Sequence, residues 1–154
     1  LHVVGVRRSP GRPGESFDEV RAPADLRDLL PRADWLALAC PLTDETRGMI
    51  DADALARLPR HARLINVARG PIIIEAALIE ALKSGSIAGA YLDVFDEEPL
   101  SQDSELWTLP QVILTPHNSA VSSGNDDRAT AMFLDNLGRW QRGESLTNQV
   151  TVVD

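Results

Sequence analysis

The 154-residue sequence predicts an α/β fold built on a doubly wound parallel sheet. Two observations predict this class. Short apolar segments of strand length alternate along the chain with segments of helical periodicity, as in repeated strand–helix–strand units. The apolar segments are also continuous, without regularly interposed polar residues, which is typical of parallel strands covered on both faces. The chain length fits one domain of this class or a piece of a larger one.

Five segments are predicted strands, because each is a short apolar run bounded by charged or turn-forming residues. In chain order they are 1–6 (LHVVGV), 34–40 (DWLALAC), 62–67 (ARLINV), 87–94 (IAGAYLDV) and 111–116 (QVILTP). The proline- and glycine-rich stretch 9–16 (SPGRPGES) is a predicted loop after the first strand.

Four segments are predicted helices, and three of them carry recognisable end signals. In chain order they are 24–33, 51–58, 75–85 and 122–142. Asp51 can cap the second helix, and Gly85 ends the third. The fourth is the longest, with Ser122 or Ser123 as the expected N-cap and Gly143 after its last turn.

The composition limits the expected partners and compartment. The formal net charge is −8, whereas nucleic acids and anionic membranes attract a positive field, so neither is an expected partner. Cys40 is the single cysteine, so no internal disulfide can form and a reducing, cytoplasmic compartment is expected. The cysteine and the three histidines lack metal-ligand spacing, so no metal is expected.

Polar side chains follow three neighbouring predicted strands, at the edge where parallel sheets bind ligands. Arg69 follows the third strand, Asp93 ends the fourth, Glu98 lies in the loop beyond it, and His117 follows the fifth. Taken singly, each has a plain structural explanation: a surface salt bridge, a strand-end cap, a solvated acid or a satisfied histidine. Their shared position at one edge of the predicted sheet favours a functional site.

Four motifs, in order, resemble the D-isomer-specific 2-hydroxyacid dehydrogenases. They are PLTDETRGMID (41–51), NVARG (66–70), LDVFDEEPL (92–100) and LTPH (114–117), with 29 positions from Arg69 to Glu98 and 19 from Glu98 to His117. The resemblance extends over nearly the whole chain and is greatest to the glyoxylate/hydroxypyruvate reductase type. It implies a Rossmann-like NAD(P)-binding domain and hydride transfer between NAD(P)H and a small 2-keto acid or D-2-hydroxy acid.

The resemblance implies catalytic roles for three residues. Arg69 would bind the carboxylate and carbonyl oxygen of the keto acid, a task suited to a planar guanidinium. His117 would be the general acid, and Glu98 would hydrogen-bond its other ring nitrogen, fixing the tautomer and stabilising the charged imidazole. Elementary chemistry agrees, because hydride transfer builds negative charge on the carbonyl oxygen and so requires a cation and a proton donor.

The resemblance also implies a set of cofactor contacts. Asp93 would accept from the nicotinamide carboxamide or the network beside it. The remaining implied contacts are Pro41, Leu42 and Thr43 at the adenine end, and Val67 and Ala68 in the NVARG motif.

The segment after the first predicted strand indicates the choice of cofactor. Dinucleotide-binding folds use an acid here for the ribose hydroxyls of NAD, or an arginine for the 2′-phosphate of NADP. The sequence has Arg7, Arg8 and Ser9 at this position, with no acid before Glu15. Two cations and a hydroxyl suit a phosphate, so NADP is predicted over NAD.

The sequence departs from the family pattern in two places. It contains no G-x-G-x-x-G loop, so we expect residues 1–120 to be the distal part of the NAD(P)-binding domain, without its first strand and glycine-rich loop. Residues 121–154 would be a C-terminal helix and tail returning to a missing substrate domain, and the chain alone is expected to be inactive. After His117, Asn118 and Ser119 stand where the family commonly has an apolar residue and glycine, so the loop lacks glycine's backbone freedom.

Two other interpretations are compatible with the same motifs. The family fold is also used by corepressors that sense dinucleotides and dock peptides. For this chain on its own, the absence of the glycine loop also makes a non-functional truncated product credible. For the full-length enzyme the resemblance implies a homodimer. Turnover of glyoxylate or hydroxypyruvate by the full-length protein would separate the enzyme from the binding module.

Overall fold

The computed structural model describes residues 1–11 and 14–149. The chain divides into two compact units, Leu1–Ser119 and Ala120–Asp154. The first unit contains the strands and three short helices, and the second contains one long helix. No helix in the described part of the chain is both long and apolar enough to cross a membrane.

All strands of the first unit pair in parallel, which confirms the predicted fold class. They form a two-stranded sheet, β1 (Val4–Val6) and β2 (Glu19–Arg21), and a four-stranded sheet, β3 (Trp35–Leu38), β4 (Arg63–Asn66), β5 (Gly89–Leu92) and β6 (Val112–Leu114), in that spatial order. The five predicted strands correspond to β1 and β3–β6. Strand β2 was not predicted, because three residues with two charges, Glu19 and Arg21, give no apolar signal.

The two sheets correspond to two parts of the doubly wound strand order. In the order 3-2-1-4-5-6 of dinucleotide-binding folds, β2–β1 correspond to strands 3-2 and β3–β4–β5 to strands 4-5-6. Within residues 1–11 and 14–149 no strand corresponds to strand 1, and β1 and β3 are edge strands of their separate sheets.

The helices have the following bounds: α1 (Leu26–Leu29), between 3₁₀ turns at Pro23–Asp25 and Leu30–Arg32; α2 (Ala52–Arg57); α3 (Glu75–Lys83); and α4 (Asn125–Gln141). Asp51 caps α2 as predicted, because its carboxylate accepts from the backbone N–H of Ala54 at 2.8 Å. Gly85 follows α3 with φ +67°, a left-handed conformation that glycine adopts without strain.

The predicted serine cap of α4 is wrong. Gly124, at φ +80°, is the N-cap residue and provides no side-chain cap. The hydroxyl of Ser122 instead lies 3.2 Å from the side-chain oxygen of Asn125. A glycine in the left-handed conformation redirects the chain just before the helix, which leaves the two serines outside it.

The two faces of the four-stranded sheet differ in burial. Leu38, Leu64, Ala90 and Leu92 are buried and belong to the same apolar core as α2 and α3. The register places Ala37, Ile65, Tyr91 and Ile113 in one row across the opposite face, where each is partly or fully exposed. The sequence predicted that both faces of the sheet are buried. In the described residues, one face is buried and the other is partly or fully exposed. Since the carboxyl ends of β3–β6 all lie at one edge, the polar residues after β4, β5 and β6 can meet there.

Candidate active site

A buried amide at the end of β4 shapes the loop that carries Arg69. The Asn66 side chain is 1% exposed, donates to the carbonyl of Arg69 at 3.0 Å, and accepts from the backbone N–H of Ala68 at 3.1 Å. These bonds satisfy an amide that would be costly to bury unpaired. They also fix the chain path at Arg69, whose exposed side chain donates to the Ala68 carbonyl at 2.6 Å.

Gly70 follows because another backbone crosses directly over it. A Cβ at this position would lie 1.9 Å from the carbonyl carbon and oxygen of Phe95 and 2.4 Å from the backbone nitrogen of Asp96. No residue with a side chain fits such a contact. Gly70 therefore brings the loop of Arg69 against the loop that leads to Glu98.

Glu98 is held at both carboxylate oxygens. Oε1 accepts from the backbone N–H of Phe95 at 3.0 Å, and Oε2 lies 2.7 Å from Nδ1 of His117. The hydrogen bond with His117 lowers the pKa of Glu98, and the bond from Phe95 and the positive charge of Arg69 lower it further against the opposing effect of burial. Glu98 is therefore an ionised acceptor that orients the imidazole.

His117 has an unusual backbone conformation for a side chain of its size. Its φ is +50°, in the left-handed region that non-glycine residues occupy infrequently. Its backbone N–H donates to the carbonyl of Asp93 at 2.8 Å. Because Nδ1 faces Glu98 and the side chain is 43% exposed, Nε2 is the ring nitrogen available to an incoming ligand.

Asp93 is fully buried beneath the His117 loop. Its Oδ1 accepts from the Thr115 hydroxyl at 2.5 Å and from the Asn118 backbone N–H at 2.9 Å, and its Oδ2 accepts from the Ser119 backbone N–H at 2.9 Å. Burial alone would raise the pKa of Asp93. The hydrogen bonds from Ser119, Thr115 and Asn118 outweigh that effect and hold the pKa well below its usual range.

The two arginines after β1 differ in their surroundings. The Arg7 guanidinium donates to Glu15 at 2.6 Å, to the Pro10 carbonyl at 2.7 Å and to the Ser9 carbonyl at 3.0 Å. Arg8 and Ser9 are exposed. The positive charge of Arg8 contributes to the lowered pKa of Glu45, which is caused first by the Thr43 hydroxyl bond to that carboxylate. Arg7 thus stabilises the loop after β1 through these hydrogen bonds. Arg8 is exposed and lies near the loop after β3.

Thr46 closes the loop that begins at Pro41. Its hydroxyl donates to the Pro41 carbonyl and accepts from the backbone N–H of Thr43, both at 2.8 Å. Pro41 is exposed, and Leu42 and Thr43 are partly exposed. Hydrogen bonds of Thr46 therefore hold the loop that carries the three predicted adenine contacts. Thr46 itself was not among the predicted contacts.

The structure brings some predicted site residues together and leaves others apart. Glu98 and His117 are in direct contact, Arg69 is close enough to influence the charge of Glu98, and Asp93 joins the His117 loop. Val67 is partly exposed and Ala68 is buried, so their cofactor roles stay predictions. No group of three potential metal ligands occurs within the ranges that the structure describes.

Asn66 and Gly70 are the positioning residues that sequence reasoning missed. An amide near the end of the largely apolar predicted strand 62–67 was the available signal for Asn66. Gly70 carried a weaker signal, because its partners, Phe95 and Asp96, lie 25 and 26 positions away in sequence and nothing local indicates the contact.

The matching family model and the similar proteins indicate the same family. Residues 1–119 match the family model described as D-isomer specific 2-hydroxyacid dehydrogenase, NAD binding domain. A glyoxylate reductase of Korarchaeum cryptofilum is 42% identical over 130 residues, which cover 82% of this chain and 39% of the relative. Glyoxylate/hydroxypyruvate reductase B of Serratia proteamaculans is 45% identical over 135 residues, or 88% of this chain and 41% of the relative.

Solved structures agree in fold over nearly the whole chain. A D-isomer specific 2-hydroxyacid dehydrogenase of Xanthobacter autotrophicus Py2, in complex with NADPH and MES, matches with a TM-score of 0.86 and 40% identity, covering 98% of this chain and 61% of that one. An NADPH-dependent glyoxylate/hydroxypyruvate reductase of Sinorhizobium meliloti, in complex with NADP and sulfate, matches with a TM-score of 0.84 and 36% identity, covering 97% and 48%. The chain thus spans about two fifths to three fifths of the length of these relatives.

Proposed function

Because the chain belongs to the D-isomer specific 2-hydroxyacid dehydrogenase family, we propose that the protein carrying it reduces a small 2-keto acid, such as glyoxylate or hydroxypyruvate, with NADPH. The observation that carries the proposal is the 2.7 Å contact between Glu98 and Nδ1 of His117, with the charge of Arg69 beside it. An ionised acceptor, a histidine with one free ring nitrogen and a guanidinium are the groups that carbonyl reduction of an acid requires.

Each of the three residues has a separate task in this proposal. Arg69 binds the substrate carboxylate, and its fork of N–H donors orients the adjacent carbonyl. His117 holds a proton on Nε2 and delivers it to the carbonyl oxygen as negative charge develops there. Glu98 keeps the ring oriented, because its carboxylate is ionised and hydrogen-bonded to Nδ1.

The described residues fit one end of a dinucleotide cofactor. Arg8 and Ser9 are exposed beyond β1, and the Thr43 loop lies near enough for the charge of Arg8 to influence Glu45. A cation and a hydroxyl at this position suit the 2′-phosphate of NADP. When bound, the nicotinamide cofactor supplies the hydride. The pyrophosphate-binding glycine loop is not part of the 154 residues.

We also propose a cytoplasmic homodimer as the working form of the full-length protein. The single cysteine supports a reducing compartment, and the family resemblance supports the dimer. Light scattering of the full-length protein tests the dimer, and a monomer at micromolar concentration would contradict it.

The test of the proposed function is NADPH oxidation in the presence of glyoxylate or hydroxypyruvate by the full-length protein. Saturable turnover that is lost in His117→Ala but kept in His61→Ala supports the proposal. His61 is a matched control, because it also pairs with a carboxylate, Asp34, at 2.7 Å, and it is exposed. Binding of NADPH without turnover would reject the enzyme in favour of a dinucleotide-sensing module.

A further inference from the structure

We propose that Glu15 is a positioning residue for the choice of cofactor. Through its ion pair with Arg7, it holds the loop after β1 in the conformation that leaves Arg8 and Ser9 exposed to a 2′-phosphate. The identity of the ligand, NADPH, rests on the proposed function. The closure of the loop is a property of the described residues themselves.

The Arg7 guanidinium binds three oxygen acceptors of its own loop. Its Nη2 donates to Oε2 of Glu15 at 2.6 Å and to the carbonyl oxygen of Pro10 at 2.7 Å. Its Nε donates to the carbonyl oxygen of Ser9 at 3.0 Å. Because Glu15 is charged and the two carbonyls are neutral, the bond to Glu15 is the strongest of the three.

The ion pair is partly shielded from water, whereas the residues that suit a phosphate are not. The side chains of Arg7 and Glu15 are 29% and 24% exposed, and Arg8 and Ser9 are classed with the exposed surface. Solvent and salt screen a partly buried pair less than a fully exposed one, so this pair restrains the loop more than an open surface pair would. The exposed cation and hydroxyl are the groups that an external phosphate can reach.

Both ends of the loop are anchored to strands independently of the ion pair. At the start, the backbone N–H of Arg7 donates to the carbonyl of Arg21, the last residue of β2, at 3.0 Å. Beyond the end, the Asp18 carboxylate accepts from the backbone N–H of Val3 at 2.7 Å. Removal of the Glu15 side chain should therefore loosen the loop and leave the pairing of β1 with β2 in place.

Charge alone and loop positioning predict opposite effects of removing Glu15. A carboxylate near the 2′-phosphate repels it, so loss of that negative charge would by itself tighten NADPH binding. If Glu15 holds the loop, its loss frees Arg7 and the Ser9 and Pro10 carbonyls, and NADPH binding must then include the entropic cost of ordering them. We therefore expect Glu15→Ala to weaken NADPH binding.

The test measures Kd of the full-length protein for NADPH and for NADH by titration of cofactor fluorescence. Glu15→Ala should raise Kd for NADPH about three- to fivefold, the factor expected for loss of one partly exposed ion pair, and keep Kd for NADH within about twofold. Glu15→Gln should restore NADPH binding to within about twofold of the parent, because an amide oxygen still accepts from the guanidinium. Glu144→Ala is the matched control, because Glu144 is exposed and also pairs with an arginine, Arg142, at 2.8 Å. It should bind both cofactors as the parent does.

A double-mutant cycle shows whether Glu15 acts through Arg7. The variant with both Arg7→Ala and Glu15→Ala should bind NADPH no more weakly than Arg7→Ala alone, since the carboxylate has then already lost its partner. NMR of the 154-residue chain reports the order of the loop without cofactor. The heteronuclear NOE of the Arg8 and Ser9 amides should fall in Glu15→Ala and stay at the parent value in Glu15→Gln.

The outcomes separate the role of Glu15 from the proposed function. Tighter NADPH binding by Glu15→Ala, equal losses for NADPH and NADH, or additive losses in the cycle would overturn the positioning role. Unchanged NOE values in Glu15→Ala would overturn it as well. Absence of NADPH binding by the parent full-length protein would reject this role together with the proposed cofactor. The expected binding pattern without reduction of any keto acid would support the role of Glu15 and reject the proposed reaction alone.

Discussion

Replacement of Gly70 by alanine should separate the Arg69 loop from the Glu98 loop. The new Cβ would lie 1.9 Å from the Phe95 carbonyl, whereas ordinary contacts begin near 3.4 Å, so the two backbones must move apart by about 1.5 Å. Misplacing catalytic groups by about 1 Å costs on the order of 100-fold in rate. We therefore expect kcat/KM of the full-length protein for glyoxylate to fall by about that factor, at a stability cost of about 1–3 kcal/mol.

The control variant must lose about as much stability as Gly70→Ala without moving the Arg69 and Glu98 loops apart. Gly85→Ala introduces left-handed strain of about 1–2 kcal/mol, since φ is +67°, but its Cβ would meet no atom within 4 Å. Steady-state kinetics and denaturant unfolding of both variants give the two quantities separately. In the 154-residue chain, Gly70→Ala should also raise the pKa of Glu98, because the positive charge of Arg69 contributes to its lowering.

The comparison of Gly70→Ala with Gly85→Ala tests whether the close backbone approach at Gly70 positions the site. If Gly70→Ala retains kcat/KM within about twofold of Gly85→Ala at equal stability, the close backbone approach does not position the site. The reasoning would then be wrong even if Gly70→Ala were destabilised, because overpacking alone explains a loss of stability.

Three further predictions follow from contacts of named side chains. His117→Ala should cost about 10²–10⁴ in kcat for reduction, because the proton donor is lost, and Glu98→Gln should also lower kcat, because the carboxylate bonded to Nδ1 is lost. Asp51→Ala should lower the free energy of unfolding by about 1 kcal/mol through loss of the α2 cap. Because hydrogen bonds chiefly from Arg27 lower the pKa of Asp51 to about 2, the difference should be full above about pH 4 and vanish as pH falls through 2. Replacing both arginines after β1 by alanine should raise KM for NADPH, relative to NADH, by about 10- to 150-fold, and Arg8→Ala alone should give most of the effect.

Each of these has a nearby control and a contrary result. Glu97→Gln should leave kcat for reduction unchanged, and an unchanged kcat in Glu98→Gln would contradict a role for the Glu98–His117 pair. Asp44→Ala, at an exposed acid, should keep the unfolding free energy of the parent, and equal losses in both aspartate variants would exclude capping as the cause. Arg47→Ala should leave the NADPH preference intact, whereas an equal change in KM for both cofactors would remove the phosphate argument.

The predicted fold rests on local signals, and these are strong for most elements. Strands β3 to β6 lie in largely apolar segments, and α2 is preceded by Asp51, whose carboxylate accepts from the backbone N–H of the third residue of the helix. The polar residues Arg69, Glu98 and His117 follow successive strands, so the edge on which they lie follows from parallel pairing alone.

The features that the sequence did not reveal depend on contacts distant in sequence. Nothing near Asp93 indicates that its carboxylate binds backbone N–H groups 25 and 26 positions later. The position of Arg7 after the first predicted strand suggested a phosphate contact, which stays a prediction, and the sequence did not indicate that Arg7 pairs with Glu15 eight positions later. In the same way, β2 exists because it pairs with β1, although its own three residues do not favour a buried strand.

At position 117, the residue that best suits the left-handed backbone differs from the residue that the proposed reaction requires. A glycine adopts φ near +50° without the steric conflict that a side chain meets, which amounts to about 1–2 kcal/mol. A library at position 117 selected only for resistance to heat or protease would therefore enrich glycine and discard the imidazole. Stability-guided engineering of this protein should hold position 117 fixed and seek its gains at sites remote from the loop.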